Sequence, residues 1–411
     1  MIRLALIYFV SDPHLGRNYN FKEDPFTGIS KRALDPINNL EMVVKDAIQQ
    51  KAGLFVICGD LYDRTNIGST FRKIIRKRIF RPLSKEGIQV IVIGGNHDSP
   101  RNLQRGSDIE DLSLSHEILV SRVPKFKNIK IDDTMVGLIL IPYMHPEVLA
   151  KFVKAKIDKE VPLNEQYSRA QDYIKKWIGE NLSNIQGADV KLLICHYYPA
   201  GAEIRKIPSP EVLPGEFHFT REMLHEDAFD LCIFGHVHLH QALWKNLVVP
   251  GSIDRLDFGE REDSKGYIVY DTEKKEWEFR CLECRDLKNI EVDISEEETS
   301  SSQELTRTVL AQIPQDIENS WVKLSIMLTT AKRELLNLAE IEKGLERAFH
   351  YDIRFINQEL QRETILEEFT LNPVTLFRDF VDQSFPDHPY KEDLKKVGLE
   401  IINDLLSKME E

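Results

Sequence analysis

Five short apolar runs recur along the first 285 positions, each closing on a polar motif: "LALIYFVSD", "AGLFVICGD", "IQVIVIGGNHD", "VKLLICHYYP" and "DLCIFGHVH". They are rich in Val, Ile, Leu and Phe and short enough for buried strands. Between the first two, Ile37, Leu40, Val44, Ala47 and Ile48 recur at helical spacing, with Asp35 as the expected N-cap and Pro36 as the expected first helical residue. Strands alternating with helices predict a layered α/β domain. The motifs fall at strand ends, where open α/β sheets build their sites.

The pattern changes after residue 285. The stretch "VDISEEETSSSQ", residues 292–303, is acidic and serine-rich without apolar periodicity, so an acidic linker is expected over 286–303. A small α+β unit follows. Val322, Leu324, Ile326 and Leu328 alternate as a strand, Leu335, Leu338, Ile341, Leu345 and Phe349 form a helical stripe, and Tyr351, Ile353 and Phe355 alternate again. Beyond Pro373 two helices are expected, the last with Leu394, Val397, Ile401, Ile402 and Leu405 on one face and Pro389 near its start.

A chain of 411 residues suffices for two to three domains. No apolar run approaches the roughly 20 residues of a membrane helix, and "LALIYFV" leads straight into motif residues, so no signal peptide or membrane span is expected. The five cysteines are odd in number and three lie inside apolar runs, which favours a reducing compartment, the cytoplasm. The net charge of −13 is unpromising for a partner of polyanions until it is divided by region. Residues 286–411 hold 14 basic and 27 acidic side chains, so the first 285 residues are formally neutral. Local patches there decide phosphate contact.

The candidate chemistry lies in "SDPH" (Asp12, His14), "GDLYD" (Asp60, Asp63), "GNHD" (Asn96, His97, Asp98), "CHYYP" (His196) and "GHVH" (His236, His238). One histidine at a strand end is usually structural; the set is far more specific than its members. Oxygen and imidazole donors without thiolate suit manganese or iron, less strictly zinc. A carboxylate can bridge two such ions about 3.5–4 Å apart, which serves in-line displacement at phosphorus and supplies hydroxide near neutrality. Two dications, two carboxylates and one hydroxide leave about one positive charge to receive a phosphate, and neutral Asn96 preserves it.

In this order the five motifs resemble the calcineurin-like metallophosphoesterase superfamily. "GNHDSP" and residues 248–269, "VVPGSIDRLDFGEREDSKGYIV", resemble SbcD-type nucleases, the bacterial and archaeal counterparts of the meiotic recombination eleven nuclease. The resemblance implies an α/β fold: a two-sheet sandwich flanked by helices over 1–285, a small α+β capping domain over 304–370 and partner-binding C-terminal helices over 371–411. It implies exonuclease and endonuclease action on DNA ends and hairpins in double-strand-break repair. Two Mn2+ ions are expected, with Fe, Mg or Zn as substitutes, together with an SbcC-type, SMC-like ATPase on the C-terminal helices and a homodimer. Residue by residue, it implies that Asp12, His14, Asp60 and His238 hold one ion. Asp60 as the bridge, with Asn96, His196 and His236, holds the other. His97 then contacts the scissile phosphate and assists the leaving group, with Asp98 orienting its ring. Four ligands for each ion leave His240, third in "GHVHLH", outside the first coordination sphere.

Two positions depart from the family pattern. Pro13 stands between the first two ligands, where it fixes φ and removes a donor. Asp63 occupies a place where some relatives carry a histidine implicated in exonuclease action. Asp63, Arg17 and Arg64 are the candidate substrate contacts. The alternative is a phosphomonoesterase or cyclic-nucleotide phosphodiesterase with the same ions, against which stand the small unit, the tail and "PGSIDRLDFGE". A non-catalytic DNA-end scaffold is a further alternative, opposed by the intact ligand set.

Weaker signals remain. "FRKIIRKRIFRPLSK", residues 71–85, carries seven basic residues around a packing face of Phe71, Ile74, Ile75 and Ile79, and reads equally as a solvated face or a DNA-backbone contact; the resemblance implies that helices near here and after "GNHD" make the homodimer, which the apolar stripe fits. The loop 17–32 mixes Arg17, Lys22, Lys31 and Arg32 with Tyr19, Phe21 and Phe26, which suits strand ends as well as ordinary packing. Cys281 and Cys284 form a lone CxxC, expected to be free thiols, and Cys58, Cys195 and Cys232 are expected in the core.

Overall fold

Side-chain alternation along the strands decides how the layers face one another. In β1 (Leu6–Val10), Ile7 and Phe9 point into one core while Tyr8 and Val10 point into another. Both sets are fully buried, which is why the sequence shows an unbroken apolar run rather than alternation. The same division holds for β2 (Leu54–Ile57) and β3 (Gln89–Ile93).

The remaining strands of the larger unit are β4 (Ile118–Ser121), β5 (Lys125–Ile131), β6 (Thr134–Ile141), β7 (Val190–His196), a short parallel pair β8 (Tyr198–Pro199) and β9 (His218–Phe219), β10 (Leu231–Gly235), β11 (Gln241–Trp244), β12 (Leu247–Val249), β13 (Lys265–Asp271) and β14 (Glu276–Leu282). They form two six-stranded sheets, ordered β14-β13-β1-β2-β3-β4 and β11-β12-β10-β7-β6-β5. Strands β1 to β4 run parallel, as do β6, β7, β10 and β12, while β5, β11, β13 and β14 pair antiparallel with their neighbours. Ile7, Phe9, Val56 and Ile91 of the first sheet meet Leu138, Leu192, Ile194 and Ile233 of the second in the central core. The outer face of the first sheet is covered by the helix Lys31–Gln49 and the helical segment 69–85, and that of the second packs against Ile174 and Ile178 of the helix Leu163–Asn181. This is the expected two-sheet sandwich flanked by helices.

The computed structural model describes residues 6–19, 21–100, 106–115, 117–145, 148–149, 163–203, 218–297, 301–357, 377–378, 381 and 391–399. Two compact units divide the chain, 1–288 and 289–411. In the second, β15 (Leu287–Asp293), β16 (Trp321–Leu328) and β17 (His350–Asn357) form a three-stranded sheet with β16 central. Val322, Leu324, Ile326 and Leu328 are buried as their alternation predicts, against Leu305 and Val309 of the helix Ser302–Ala311 and Ile341 and Leu345 of the helix Leu338–Leu345. Residues 391–399 are helical, with Leu394 and Val397 exposed; Pro373, Pro389, Ile401, Ile402 and Leu405 lie outside the described residues.

Two local expectations need correction. The expected linker over 286–303 is not all linker, because β15 runs through its start and buries Ile290 and Val292 on either side of Glu291. The first helix begins at Lys31 after Ser30, not at Asp35. Asp35 binds Arg32 at 2.9 Å and Arg285 at 2.7 Å instead of capping, and Pro36 sits inside the helix, removing a single backbone donor. Of the two readings left open for the loop 17–32, Arg32 takes ordinary packing: it is fully buried and paired with Asp254 at 2.5 Å.

Candidate metal centre

Asp12 and His14 follow β1, Asp60 follows β2, Asn96 and His97 follow β3, His196 ends β7, and His236 and His238 follow β10. These strands are parallel neighbours within their sheets, so their carboxyl ends present the five motifs together. Four of the side chains are aimed by unusual backbone: Asp12, His14, Asp60 and His236 adopt φ of 50°, 46°, 48° and 90°. Such left-handed residues cost on the order of 1–3 kcal/mol each and persist where the surroundings over-determine them. Here His14 N donates to the Asp60 carbonyl at 2.9 Å, and His236 N donates to Asp12 Oδ2 at 3.0 Å. Gly59, at φ 97°, leaves the space that the His196 ring occupies; a Cβ there would overlap Nδ1.

Two groups of donors result. In the first, His14 Nε2 lies 3.2 Å from His238 Nε2 and 3.7 Å from Asp60 Oδ2, and the donor atoms of Asp12, His14 and His238 lie within 4.8 Å of one another. In the second, Asn96 Oδ1 is 3.1 Å from His196 Nε2 and 2.8 Å from His236 Nδ1, while Asp60 Oδ2 is 3.4 Å from His196 Nε2. Asp60 reaches into both groups, the position a bridging carboxylate requires. All seven expected ligands are brought together.

The chemistry of this set fits cations. His196 Nδ1 donates to the Cys58 carbonyl at 2.7 Å, so its other nitrogen, if neutral, is a bare lone pair facing the Asn96 and Asp60 oxygens. His238 Nδ1 donates to Glu260 Oε1 at 2.7 Å, which likewise bares the Nε2 that faces His14. Acceptors converging on acceptors are unstable without a proton or a metal ion among them. Titration reflects this: burial opposes protonation of His196, yet the Asp60 and Asp12 carboxylates outweigh it and raise the imidazolium to about 9. Burial also pushes the Asp60 carboxyl up, but His196 and His14 hold it well below the usual range. At His14 burial wins over Asp63 and Asp60 and lowers the pKa.

Glu260, which the motif reading missed, fixes His238. Its Oε2 pairs with Lys265 Nζ at 2.8 Å and accepts from Leu256 N at 3.0 Å, and Lys265, 1% exposed, also donates to the His238 carbonyl at 3.0 Å and to Ser252 Oγ at 2.8 Å. Burial raises the Glu260 carboxyl, but His238 and Lys265 pull it well below the carboxylate range. The signal was present in the sequence as a glutamate and a lysine inside residues 248–269, without spacing that marked either as a support. Tyr198, edge-on at 4.3 Å, and Tyr143, stacked at 6.3 Å, wall the His236 ring.

His97 stands beside the first group, its ring edge-on to His14 at 4.6 Å and its N–H donating to Asp60 Oδ1 at 2.8 Å. Its orienting partner differs from expectation. His97 Nδ1 lies 3.1 Å from the Asp63 main-chain carbonyl, whereas the Asp98 carboxylate turns back to accept from Gly95 N at 2.7 Å and Tyr62 N at 3.4 Å. Among the described residues Asp98 makes no hydrogen bond to the His97 ring, because it closes the turn that carries Asn96 and His97. Burial, reinforced by the nearby Asp60 charge, raises Asp98 to about 7. Asp63 also sets its Oδ1 3.4 Å from His14 Nδ1 and 3.9 Å from Arg17. It thus ties His14, the His97 ring and the half-exposed Arg17 together. Arg64 instead donates to the Gly16 carbonyl at 3.0 Å. His240 is outside both groups: Nδ1 donates to the Val249 carbonyl at 2.7 Å and the ring stacks on Phe279 at 3.7 Å. Cys58, Cys195 and Cys232 are buried free thiols, and Cys281 and Cys284 are free as well.

The family model for calcineurin-like phosphoesterases matches residues 5–240, which contain every donor above except Glu260 and its lysine. The SbcD component of the SbcCD nuclease from Staphylococcus saprophyticus is 24% identical over 288 residues, covering 70% of this chain and 70% of that protein. The Bacillus subtilis counterpart is 23% identical over 279 residues, 66% of this chain and 67% of its own. A solved dimetal phosphatase from Danio rerio is similar with a TM-score of 0.37 at 11% identity, covering 65% of this chain and 92% of that one. With two donor groups sharing one carboxylate and the family model spanning more than half its length, the chain belongs to the calcineurin-like phosphoesterase family and is a metal-dependent hydrolase of phosphoester bonds.

Proposed function

We propose that the protein is a manganese-dependent DNA nuclease that cuts phosphodiesters at DNA ends and hairpins, working in the cytoplasm as a homodimer with an SbcC-type ATPase on its C-terminal helices. One observation carries the catalytic part: the Asp60 carboxylate stands between two donor groups, with His97 held beside them by the Asp63 carbonyl. The nuclease names of the two curated relatives support DNA as the substrate, and the donor set without thiolate supports manganese over strictly thiophilic ions. A pair of divalent ions bound there supplies polarisation of the phosphoryl oxygen and acidification of a water.

The chain's own residues do the rest. Asp12, His14, Asp60 and His238 would hold one ion and Asp60, Asn96, His196 and His236 the other. Glu260 and the Cys58 carbonyl keep the hydrogens of His238 and His196 on Nδ1, leaving Nε2 free to bind. His97 acts as the imidazolium: its Nδ1–H stays on the Asp63 carbonyl while Nε2–H passes its proton to the departing oxygen as the ester bond breaks, leaving a neutral ring. Asn96 supplies an oxygen donor without charge, which keeps the centre net positive towards a phosphodiester.

The test incubates purified protein with end-labelled duplex and hairpin DNA, a small phosphodiester and a phosphomonoester, with and without manganese. Manganese-dependent cleavage of DNA is expected. Hydrolysis of the small esters alone would overturn the nuclease reading in favour of a phosphomonoesterase or small-ester phosphodiesterase, and inertness towards all four would favour a scaffold.

A further inference from the structure

The segment 69–85 is not one regular helix. An α-helix over Ser69–Ile75 passes into a π-helical turn over Arg76–Phe80 and back to α-helix over Arg81–Lys85. At about 100° per residue, nine residues of straight α-helix would place Arg81 roughly on the opposite side from Arg72. The π turn absorbs about one extra residue, returning Arg81 to within about a quarter turn of Arg72. Arg72, Lys73, Arg76, Lys77 and Arg81 consequently line one open cleft of about 490 Å³, against a single carboxylate, Asp111.

The cations differ in their ties. Arg72 is held by Asp111 at 2.6 Å and Asp108 at 3.3 Å, and Arg76 donates to the Asp111 carbonyl at 3.2 Å. Arg78 points elsewhere, to Glu41 and Asn38 of the first helix. Lys73, Lys77 and Arg81 are exposed and, among the described residues, have no ion-pair or hydrogen-bond partner. Concentrating them on one wall stores repulsion that a polyanion relieves, and the cleft is shaped by a helix distortion that recurs at functional sites. The nine residues from Asp63 to Arg72 span at most about 32 Å even if extended, which is within about one turn of duplex.

We propose that this cleft docks the phosphodiester backbone of duplex DNA flanking the scissile site, an assignment that rests on the nuclease reading. Recognition is by charge alone, without base readout. Arg72 and Arg76 are pre-positioned by Asp111, and Lys73, Lys77 and Arg81 supply the three mobile contacts.

The experiment uses the full-length chain and its triple variant Lys73→Gln, Lys77→Gln, Arg81→Gln, all exposed positions, with folding checked by thermal unfolding. Duplex affinity is measured from 50 to 200 mM salt with calcium in place of manganese, alongside hydrolysis of a small phosphodiester. Three lost contacts should flatten the log–log salt slope by about 2.7, so that the loss of affinity over that range becomes about 40-fold smaller, with small-ester turnover unchanged. A variant that keeps the wild-type affinity and slope, while the wild-type protein cleaves DNA, overturns the cleft and leaves the nuclease reading intact. An unchanged slope with a changed molar mass by light scattering overturns it in favour of self-association through this face. A wild-type protein that turns over the small ester but neither binds nor cuts duplex overturns both readings together.

Discussion

Replacing Glu260 by glutamine isolates the support under His238. The substitution preserves shape, and its amide oxygen can still accept from His238 Nδ1, 2.7 Å away in the wild type. Its amide nitrogen then faces Lys265 Nζ, donor against donor, where a carboxylate oxygen stood at 2.8 Å. Lys265 is 1% exposed, so its charge is left with Asp263 at 3.3 Å and two neutral acceptors. Breaking a buried pair costs roughly 3–5 kcal/mol, and the remaining partners place this case near the lower figure. At about 2–4 °C per kcal/mol for a unit of this size, Tm should fall by roughly 6–12 °C. A weakened partner to a ligating imidazole should also lower metal affinity about 10- to 100-fold. Calorimetric manganese titration and thermal unfolding read the two effects separately. The double variant Glu260→Gln, Lys265→Met removes the stranded cation and should recover most of the stability but not the affinity. Wild-type manganese affinity and stoichiometry in Glu260→Gln would refute the reasoning.

His97→Ala should reduce phosphodiester turnover by about 10²–10⁴-fold while metal analysis still finds two ions; loss of an ion would make His97 a ligand instead. His240→Ala should keep both ions and show only the modest destabilisation of a lost ring stack on Phe279, whereas His236→Ala and His238→Ala should each lose one, as mass spectrometry of the loaded protein can count. Metal uptake should release a proton from His196, raised to about 9, so apparent affinity climbs about tenfold per pH unit between pH 7 and 9; buffers of different ionisation enthalpy report the proton, and pH-independent binding with no release contradicts it. The sign for stability is opposite: a raised histidine stabilises the metal-free fold below its unfolded value near 6.5, and that contribution, on the order of 3 kcal/mol, is lost as pH rises towards 9, visible as a falling Tm.

Strands β1, β2, β3, β7 and β10 were legible because each is buried on both faces along most of its length, leaving a continuous apolar run that ends abruptly in polar residues; β5 and β14, exposed along much of theirs, leave no such run. The convergence of the seven expected donors was legible for a related reason: a strand end fixes where the next residues go, so each motif announces its own place. Asp98 and Asp35 misled because a side chain's neighbours in sequence are not its partners. Asp98 turns back to its own loop, and the ring of His97 is taken by Asp63, thirty-four residues earlier. Strand β15 escaped because its buried Ile290 and Val292 alternate with charged residues inside an acidic stretch, and only pairing with β16 gives that alternation a face to bury.

By itself, then, the sequence determined the five buried strand runs, the polar motifs at their ends and the donor types those motifs offer, since these follow from local periodicity and residue chemistry; the two-sheet arrangement and the surplus of His240 were implied by the resemblance. Tertiary structure alone decided which nitrogen of His196 and His238 is free to bind, because Cys58 and Glu260 arrive from other strands and loops. It alone decided that Arg72 and Arg81 share a wall, because a π turn is a change of phase that residue spacing does not display. Hydrogen-bond partners and helix phase are set by what packs against a segment, and that information is distributed over the whole chain.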